Sequence, residues 1–444
     1  VRTPSGAIRE VGPHEVLFSA TDSRGLIAES NAAFASYTGY PRKRLTGSDH
    51  DLLRHPDLPG GIALGIHRSL DEGHTVCCYL DQLSADGDVF RAFTVITPHA
   101  DGHVTLQVSP TVDEEAARIE GLAEKVAQIE QIFRSAGADD DTVAQAGLAQ
   151  LEALLADDGH ASIASFTRAA LPLEMRRRAQ ARGRRQWPSA TDGHQRVLLA
   201  EIRWLDALLL RWLPQVDALQ GLATTLVGVA HRLGVVANSA TVQARAFDDI
   251  LRRGNPGQQA WAVQQWVGSA AEQETITRRY AERSLELRPP IERAQWSLAL
   301  AALHSEALAQ EAAELAAGEI GPKPSKRAMR LFLRTIDATL ADVQHNVAEA
   351  LACCRDLGDL AGHLTDLTDT RIDLFEGWQR RTQGHDGDVL ERLRPEVADA
   401  LREDRSDRGV HTHIAERCRD AHAVAADETF AQLARVHELV DALP

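Results

Sequence analysis

Arg54, His55 and Asp57 place a guanidinium, an imidazole and a carboxylate almost side by side, with Pro56 fixing the backbone between them. Such a set engages a phosphate or an adenine through Arg54 and His55, while Asp57 holds them in place or accepts from a ribose hydroxyl. The same residues have a plainer use. Proline fixes φ, Asp57 accepts backbone N–H bonds, and the loop before the next helix is ordered. The residues alone leave both readings open.

Other chemistry-bearing positions are sparser. Cys77 and Cys78 are adjacent, so on a strand they point to opposite faces and a disulfide between them would be strained. His411 and His413, with Cys418, have a spacing that reaches a metal, but surface histidines near a helix start are the expectation. Residues 176–185 are the one basic block of an acidic chain. They read as a solvated linker or helix end, or else as a dock for an acidic partner or phosphates. No phosphate-cradling glycine loop, GxSxG or HExxH is present, and no enzyme activity is expected.

The elements that must position these residues follow from composition and period. With 444 residues, 44% of them apolar, the chain has room for roughly two to four domains. A net charge of −16 argues against a nucleic-acid partner, since phosphate backbones reward basic surfaces. Five cysteines without a CxxC pair point to reduced thiols and a cytoplasmic setting. The most apolar stretch, 205–236, is interrupted by Asp206, Arg211, Gln215, Asp217, His231 and Arg232, so no membrane span is expected. The N-terminus lacks a signal peptide's basic start and apolar middle.

Strands are expected at 14–20, 25–29, 75–83, 89–97 and 103–108, and helices at 31–37, from Pro41, and at 62–71. From Asp113 the period changes. Ile119, Leu122, Val126, Ile129 and Ile132 form a helical stripe leaving the first domain. Further helices are expected at 142–156 (capped by Thr142), 161–171, 194–252 with a kink at Pro214, 258–317 interrupted at 289–290, 326–357, 360–383, 389–403 and 411–443. A break falls at 254–257. The second half thus reads as an antiparallel helical bundle or coiled coil.

Ser19-Ala20-Thr21-Asp22, Leu26-Ile27-Ala28-Glu29-Ser30-Asn31, Phe34, Tyr37-Thr38-Gly39-Tyr40 and Arg54-His55-Pro56-Asp57-Leu58-Pro59 occur in a recognisable order. Together they resemble the PAS sensor domain of Aer-type aerotaxis receptors, over about residues 10–118. The resemblance implies an α+β PAS domain, an antiparallel sheet with helices over one face, followed by a long all-α region. It implies FAD as cofactor, with Arg54, His55 and Asp57 contacting it and Asn31 as a polar residue of the pocket. Gln82 offers both a donor and an acceptor to a flavin ring edge. Haem is the alternative, with an axial ligand drawn from His50, His55, His67, His74, His99 and His103.

Farther on, Val229-Ala230, Val235-Val236-Ala237, Ala240 and Val242-Gln243-Ala244 follow the rhythm of a chemoreceptor hairpin, with 258–263 as its returning arm. Residues 307–313 fit the loose pattern of receptor methylation sites. The expected organisation is a PAS sensor domain at 10–112, a signalling helix and helical linker at 113–190, a receptor-like hairpin at 191–318 and a C-terminal helical region at 325–444. Such a chain is expected to be a homodimeric cytoplasmic sensor of redox state or oxygen. It would signal to a histidine kinase or its adaptor in a chemotaxis-like array. The rival expectation is a scaffold whose PAS domain is empty and serves dimerisation.

Overall fold

Alternating apolar residues in the first quarter of the chain fold as strands. In the computed structural model, which describes residues 3–181, 187–188, 192–254, 260–421 and 426–444, they form β1 (Val16–Thr21), β2 (Ile27–Ser30), β3 (Val76–Leu83), β4 (Val89–His99) and β5 (Gly102–Val108). The sheet is antiparallel in the order β2-β1-β5-β4-β3, so β3 is an edge strand. Between β2 and β3 come α1 (Ala32–Thr38), α2 (Arg42–Leu45), a 3-10 turn at His50–Leu53 and α3 (Gly60–Asp71). Leu17 and Phe90 of the sheet join Phe34, Leu45 and Leu53 in one buried cluster beneath these helices. The first domain is thus α+β, a five-stranded antiparallel sheet with helices, and a long all-helical region follows it.

Local chemistry sets these boundaries. Asn31 caps α1, and Gly39 ends it in the left-handed conformation at φ 70°. A side chain at Gly39 would also crowd Ala85, at 3.3 Å.

The chain divides into two compact units. The first comprises Val1–Pro214, Gln295–Val343 and Ala425–Pro444; the second comprises Gln215–Ala294 and Gln344–Val424.

In the first unit the outer face of the sheet is covered by the chain itself. α6 (Ile163–Ala181) crosses β3, where the Cys77 N–H donates to Thr167 Oγ1 (3.0 Å) and the Tyr79 hydroxyl donates to Glu174 (2.7 Å). An edge-strand donor is thereby satisfied by a side chain instead of a neighbouring strand. Phe18 packs edge-on against Phe332 at 4.7 Å, at the start of α10 (Pro322–Thr382). α9 (Arg288–Ala317) is buried on all sides from 298 to 315, although that stretch carries His304, Glu306, Gln310, Glu311 and Glu314. Residues 307–313 therefore present nothing to a modifying enzyme, and the methylation-site pattern is a core packing pattern. In the basic block, Arg178 is fully buried and donates to Glu306 (2.8 Å), so this arginine is no solvated linker residue. Arg182 to Arg185 lie outside the described residues.

α4 (Asp113–Ser135) does not leave the domain. The chain turns, and α5 (Asp140–Asp157) returns along α4 and packs against α3. Asp139, not Thr142, caps α5, because its carboxylate accepts the Thr142 N–H (2.7 Å). Glycine permits the α3–α5 crossing: a Cβ on Gly61 would lie 2.3 Å from the Gly147 carbonyl carbon. α12 (Asp427–Asp441) lies along the start of α7 (Gly193–Arg253), with Gln432 donating to Glu201 (2.7 Å).

In the second unit, α8 (Trp261–Glu286) returns along α7, and α11 (Asp388–Arg419) returns along α10. Phe247, Trp266, Phe375, Trp378, Leu393 and Val397 make one core from all four helices. Trp266 stacks on Phe375 at 5.6 Å, and Phe247 meets Trp266 edge-on at 5.2 Å. Both hairpins belong to this chain, so this core does not call for a second one. α10 runs unbroken through Gly358, where the missing side chain admits Cys418, and α11 runs unbroken from 403 to 411. The breaks expected there are overridden by packing. α7 continues through Pro214, and α8 gives way to α9 at Leu287. The break at 254–257 and the start of the returning arm at 258–259 lie largely outside the described residues. By length and composition α7 is apolar enough to cross a membrane over an 18-residue window. Its Leu198, Ile202, Leu205 and Leu209 are buried in the protein.

Candidate functional site

The register of the sheet puts Ser19, Gln82, Thr94, Thr105 and Gln107 on the inner face, all buried. A core-facing strand surface is normally apolar, so five polar side chains there need partners. Two of them line an interior cavity of about 420 Å³ and have an oxygen without a hydrogen-bond partner. These are Gln82 Oε1 (residue 5% exposed) and Thr94 Oγ1 (1% exposed). Gln107, opposite Thr94 across the β4–β5 ladder, leaves both amide atoms unpartnered. Leu80 and Ile96 supply apolar floor, while Arg24, Arg54, His67 and His103 stand around the cavity.

The loop carrying Arg54 is pinned beside this floor. Arg54 and Gln82 form an isolated antiparallel bridge, so the loop runs along the inner end of β3. Arg54 lines the cavity with its guanidinium partly exposed, 3.9 Å from Asp51. His55 lines it too, and its Nδ1 accepts the Asp57 N–H (3.2 Å), which leaves Nε2–H as a free donor. The loop is thus ordered by the histidine, whereas the sequence expectation gave that work to Asp57. The Asp57 carboxylate is 88% exposed, with its oxygen 3.8 Å from His55 Nδ1, and it is absent from the cavity wall.

Asn31 is not part of the cavity. Its Oδ1 accepts the N–H groups of Phe18 (3.0 Å) and Phe34 (2.9 Å), and its Nδ2 donates to the Val16 carbonyl (2.8 Å). The amide is spent tying β1 to the start of α1. Among the histidines, His50 lines the cavity but its Nε2 pairs with Ser19 Oγ (3.0 Å), and burial lowers its pKa. Burial lowers that of His103 as well. Cys77 and Cys78 are free thiols on opposite faces, and burial pushes Cys78 up to about 12, so neither is poised as a nucleophile.

Three buried glutamates from outside the sheet domain hold its backbone. Glu130 of α4 accepts from the Gly60 (3.1 Å) and Gly61 (2.7 Å) N–H groups at the start of α3, directly after the Arg54 loop. Glu314 of α9 accepts from Ala32 (2.7 Å) and Ala33 (3.1 Å) at the start of α1. Glu174 of α6 accepts from Thr111 (3.0 Å) and Val112 (3.2 Å), where β5 leads into α4. A carboxylate at a helix N-terminus satisfies otherwise orphaned donors and meets the positive end of the dipole.

The structure brings Arg54, His55 and Gln82 to one cavity, whereas Thr94, Thr105 and Gln107 were not singled out from the sequence. In β5 the polar His103, Thr105 and Gln107 alternate with Val104, Leu106 and Val108, a pattern that ordinarily marks a solvent face. His411 is buried within α11, near Thr368 (3.3 Å), not on the surface near a helix start. Among the described residues no group of three His, Cys, Asp or Glu side chains is arranged to hold a metal.

No family model matches the chain. Among curated proteins, the aerotaxis receptor of Escherichia coli K12 is 27% identical over 111 residues, which is 24% of this chain and 22% of the receptor. The chain therefore spans about a fifth of that relative's length. Among solved structures, the PAS domain of a Colwellia psychrerythraea protein is similar, with 16% identity and a TM-score of 0.20. It covers 21% of this chain and 85% of that one.

Proposed function

We propose that the first domain senses redox state or oxygen by holding FAD in the interior cavity, and that the helices docked on the domain carry its state to a partner protein. One observation carries this reading: Gln82 and Thr94, whose Oε1 and Oγ1 are buried without a hydrogen-bond partner, line a cavity of about 420 Å³. Small-molecule pockets typically hold roughly 300–1,000 Å³ and a few convergent polar groups. The donor set fits a flavin nucleotide. The Gln82 amide and the Thr94 hydroxyl would offer donors and acceptors to a ring edge that needs both. Arg54 and the His55 Nε2–H stand where phosphate or adenine would be engaged. Flavin, when bound, supplies a reversible change of charge and protonation.

The residues that engage the cofactor sit a few positions before Gly60 and Gly61, which Glu130 of α4 holds. Any difference in how Arg54 and His55 are engaged bears on that clasp, and so on the docking of α4 and α5. A sensor needs two arrangements whose stabilities differ between ligand states. Output is by protein contact, and a histidine kinase or its adaptor is the partner class we favour. Haem is the weaker fit, because the wall carries the buried polar Gln82 and Thr94 and the buried His50 Nε2 is taken by Ser19.

The purified chain should be yellow with an oxidised-flavin spectrum, and Arg54→Ala or Gln82→Leu should lose the colour. A colourless chain that takes up no added FAD overturns the reading, and a Soret band would establish haem in its place.

A further inference from the structure

A second cavity, of about 410 Å³, has the opposite chemistry. It lies along the edge strand β3, walled by Ile62 of α3, Cys78 of β3, Ile119 and Ala123 of α4, Leu151 of α5 and Phe166 of α6. Leu58, Ile66 and Leu80, with His55 and Asp81, line both cavities and so form the partition between them. No residue of this second wall carries a buried side-chain oxygen or nitrogen without a partner. The Tyr79 hydroxyl is given to Glu174. Apart from His55, at the end shared with the first cavity, the interior thus asks for hydrocarbon. Dry apolar cavities of roughly 150 Å³ already take up small aromatic molecules.

Charge at the rim narrows the occupant. Arg91 is bound bidentately by Asp81 (2.7 and 2.8 Å) and reaches Glu120 (3.1 Å), so its charge is already compensated. The exposed carboxylates of Asp57 and Glu124 remain, beside Glu120. An anionic head group would be repelled there, and a cationic one attracted.

We propose that this cavity is a separate binding site for a hydrophobic amine, an alkyl or aryl body within the wall and a cationic end at Asp57, Glu120 and Glu124. Because α4 and α5 supply much of the wall, occupancy acts on the same docked helices as the interior cavity but from their other contacts.

Dodecylamine below its micelle concentration tests this by calorimetric titration of the full chain, with dodecanoate as the comparison. Dodecylamine should bind at a single site about tenfold tighter than dodecanoate or better, and raise the unfolding temperature. Ala123→Trp, which fills the cavity, should weaken binding by about tenfold or more, while Gln128→Trp on the exposed face of α4 should not. Equal binding of dodecanoate, or undiminished binding by a helical, cooperatively melting Ala123→Trp chain, overturns the proposal. So does the absence of any thermal shift in the unmodified chain, a reading that needs no variant to fold. Saturating FAD should leave dodecylamine bound; displacement would place the amine in the interior cavity and refute a separate site, whatever the fate of the flavin reading.

Discussion

Gln82 and Thr94 hold buried oxygens that no protein group satisfies, and such atoms cost stability until a ligand or water reaches them. Gln82→Leu should therefore stabilise the cofactor-free chain by about 1 kcal/mol in urea unfolding while weakening flavin uptake by about tenfold or more. A purely structural glutamine would lose stability instead. Glu311 is a second residue whose burial has consequences. Desolvation, with Glu314 nearby, raises its pKa from 4.5 to about 8. Below pH 4.5 both folded and unfolded chains hold this proton. As pH rises toward 8 the unfolded chain releases it first, so its contribution to stability is lost across that window. Glu311→Gln should flatten that loss and be more stable than the unmodified chain by roughly 1–3 kcal/mol near pH 8, measured by thermal unfolding across pH. His304 and His411 act on the acid side, for burial lowers each from 6.5 to about 4. Their contribution is present above pH 6.5 and lost as pH falls to about 4, so His411→Asn should make the acid limb shallower. Of the site, Arg54 and His55 were legible because they sit in a loop where charge has no packing role. Thr94 and Gln107 were not, because a polar residue in a strand usually marks the solvent face.

The helices themselves were legible from period, but the face each one seeks was not. The stripe Ile119, Leu122, Val126, Ile129 and Ile132 predicts a helix over 113–135, and one forms there. Ile132 is nevertheless 62% exposed, because the stripe is used against α3 and α5 only along its earlier turns. What fixes α4 in place is Glu130, a residue type that ordinarily marks a solvated face. Glu130→Ala should cost about 1–3 kcal/mol and expose the 136–139 turn to protease, since two N–H groups of α3 lose their acceptor. Gly61→Ala should have the same proteolytic signature, because its Cβ has no room against Gly147. Should Glu130→Ala leave both stability and protection unchanged, the clasp does not hold α4 to the domain.

Across the whole molecule the helical half makes its own bundle from two hairpins and buries a charged layer inside the second unit. Arg371 lies 3.4 Å from Asp404 and 4.1 Å over the Trp266 ring, while Trp266 Nε1 donates to Asp404 (2.9 Å). Arg371 also donates to Gln273. Removing one partner strands the other in low dielectric, so Arg371→Met should cost about 3–5 kcal/mol. Adding Asp404→Asn should recover much of that, since the amide oxygen still accepts from Trp266 and no charge is stranded. Urea unfolding of the two single variants and the double variant measures the coupling, and additive losses would show that the layer is not an ion pair in energetic terms.

By itself the sequence determined the order of strands and helices in the first domain, the loop with Arg54 and His55, and the all-helical character of the rest. Those are set within a few residues, by steric limits on the backbone and by the period at which apolar side chains recur. Only the tertiary structure decided that α4 folds back, that Glu130, Glu174 and Glu314 are clasps, and that Asn31 is spent on backbone. It also decided that α10–α11 completes the bundle of α7–α8. Each depends on which surfaces meet across long stretches of chain, where shape and desolvation choose among helices of similar period.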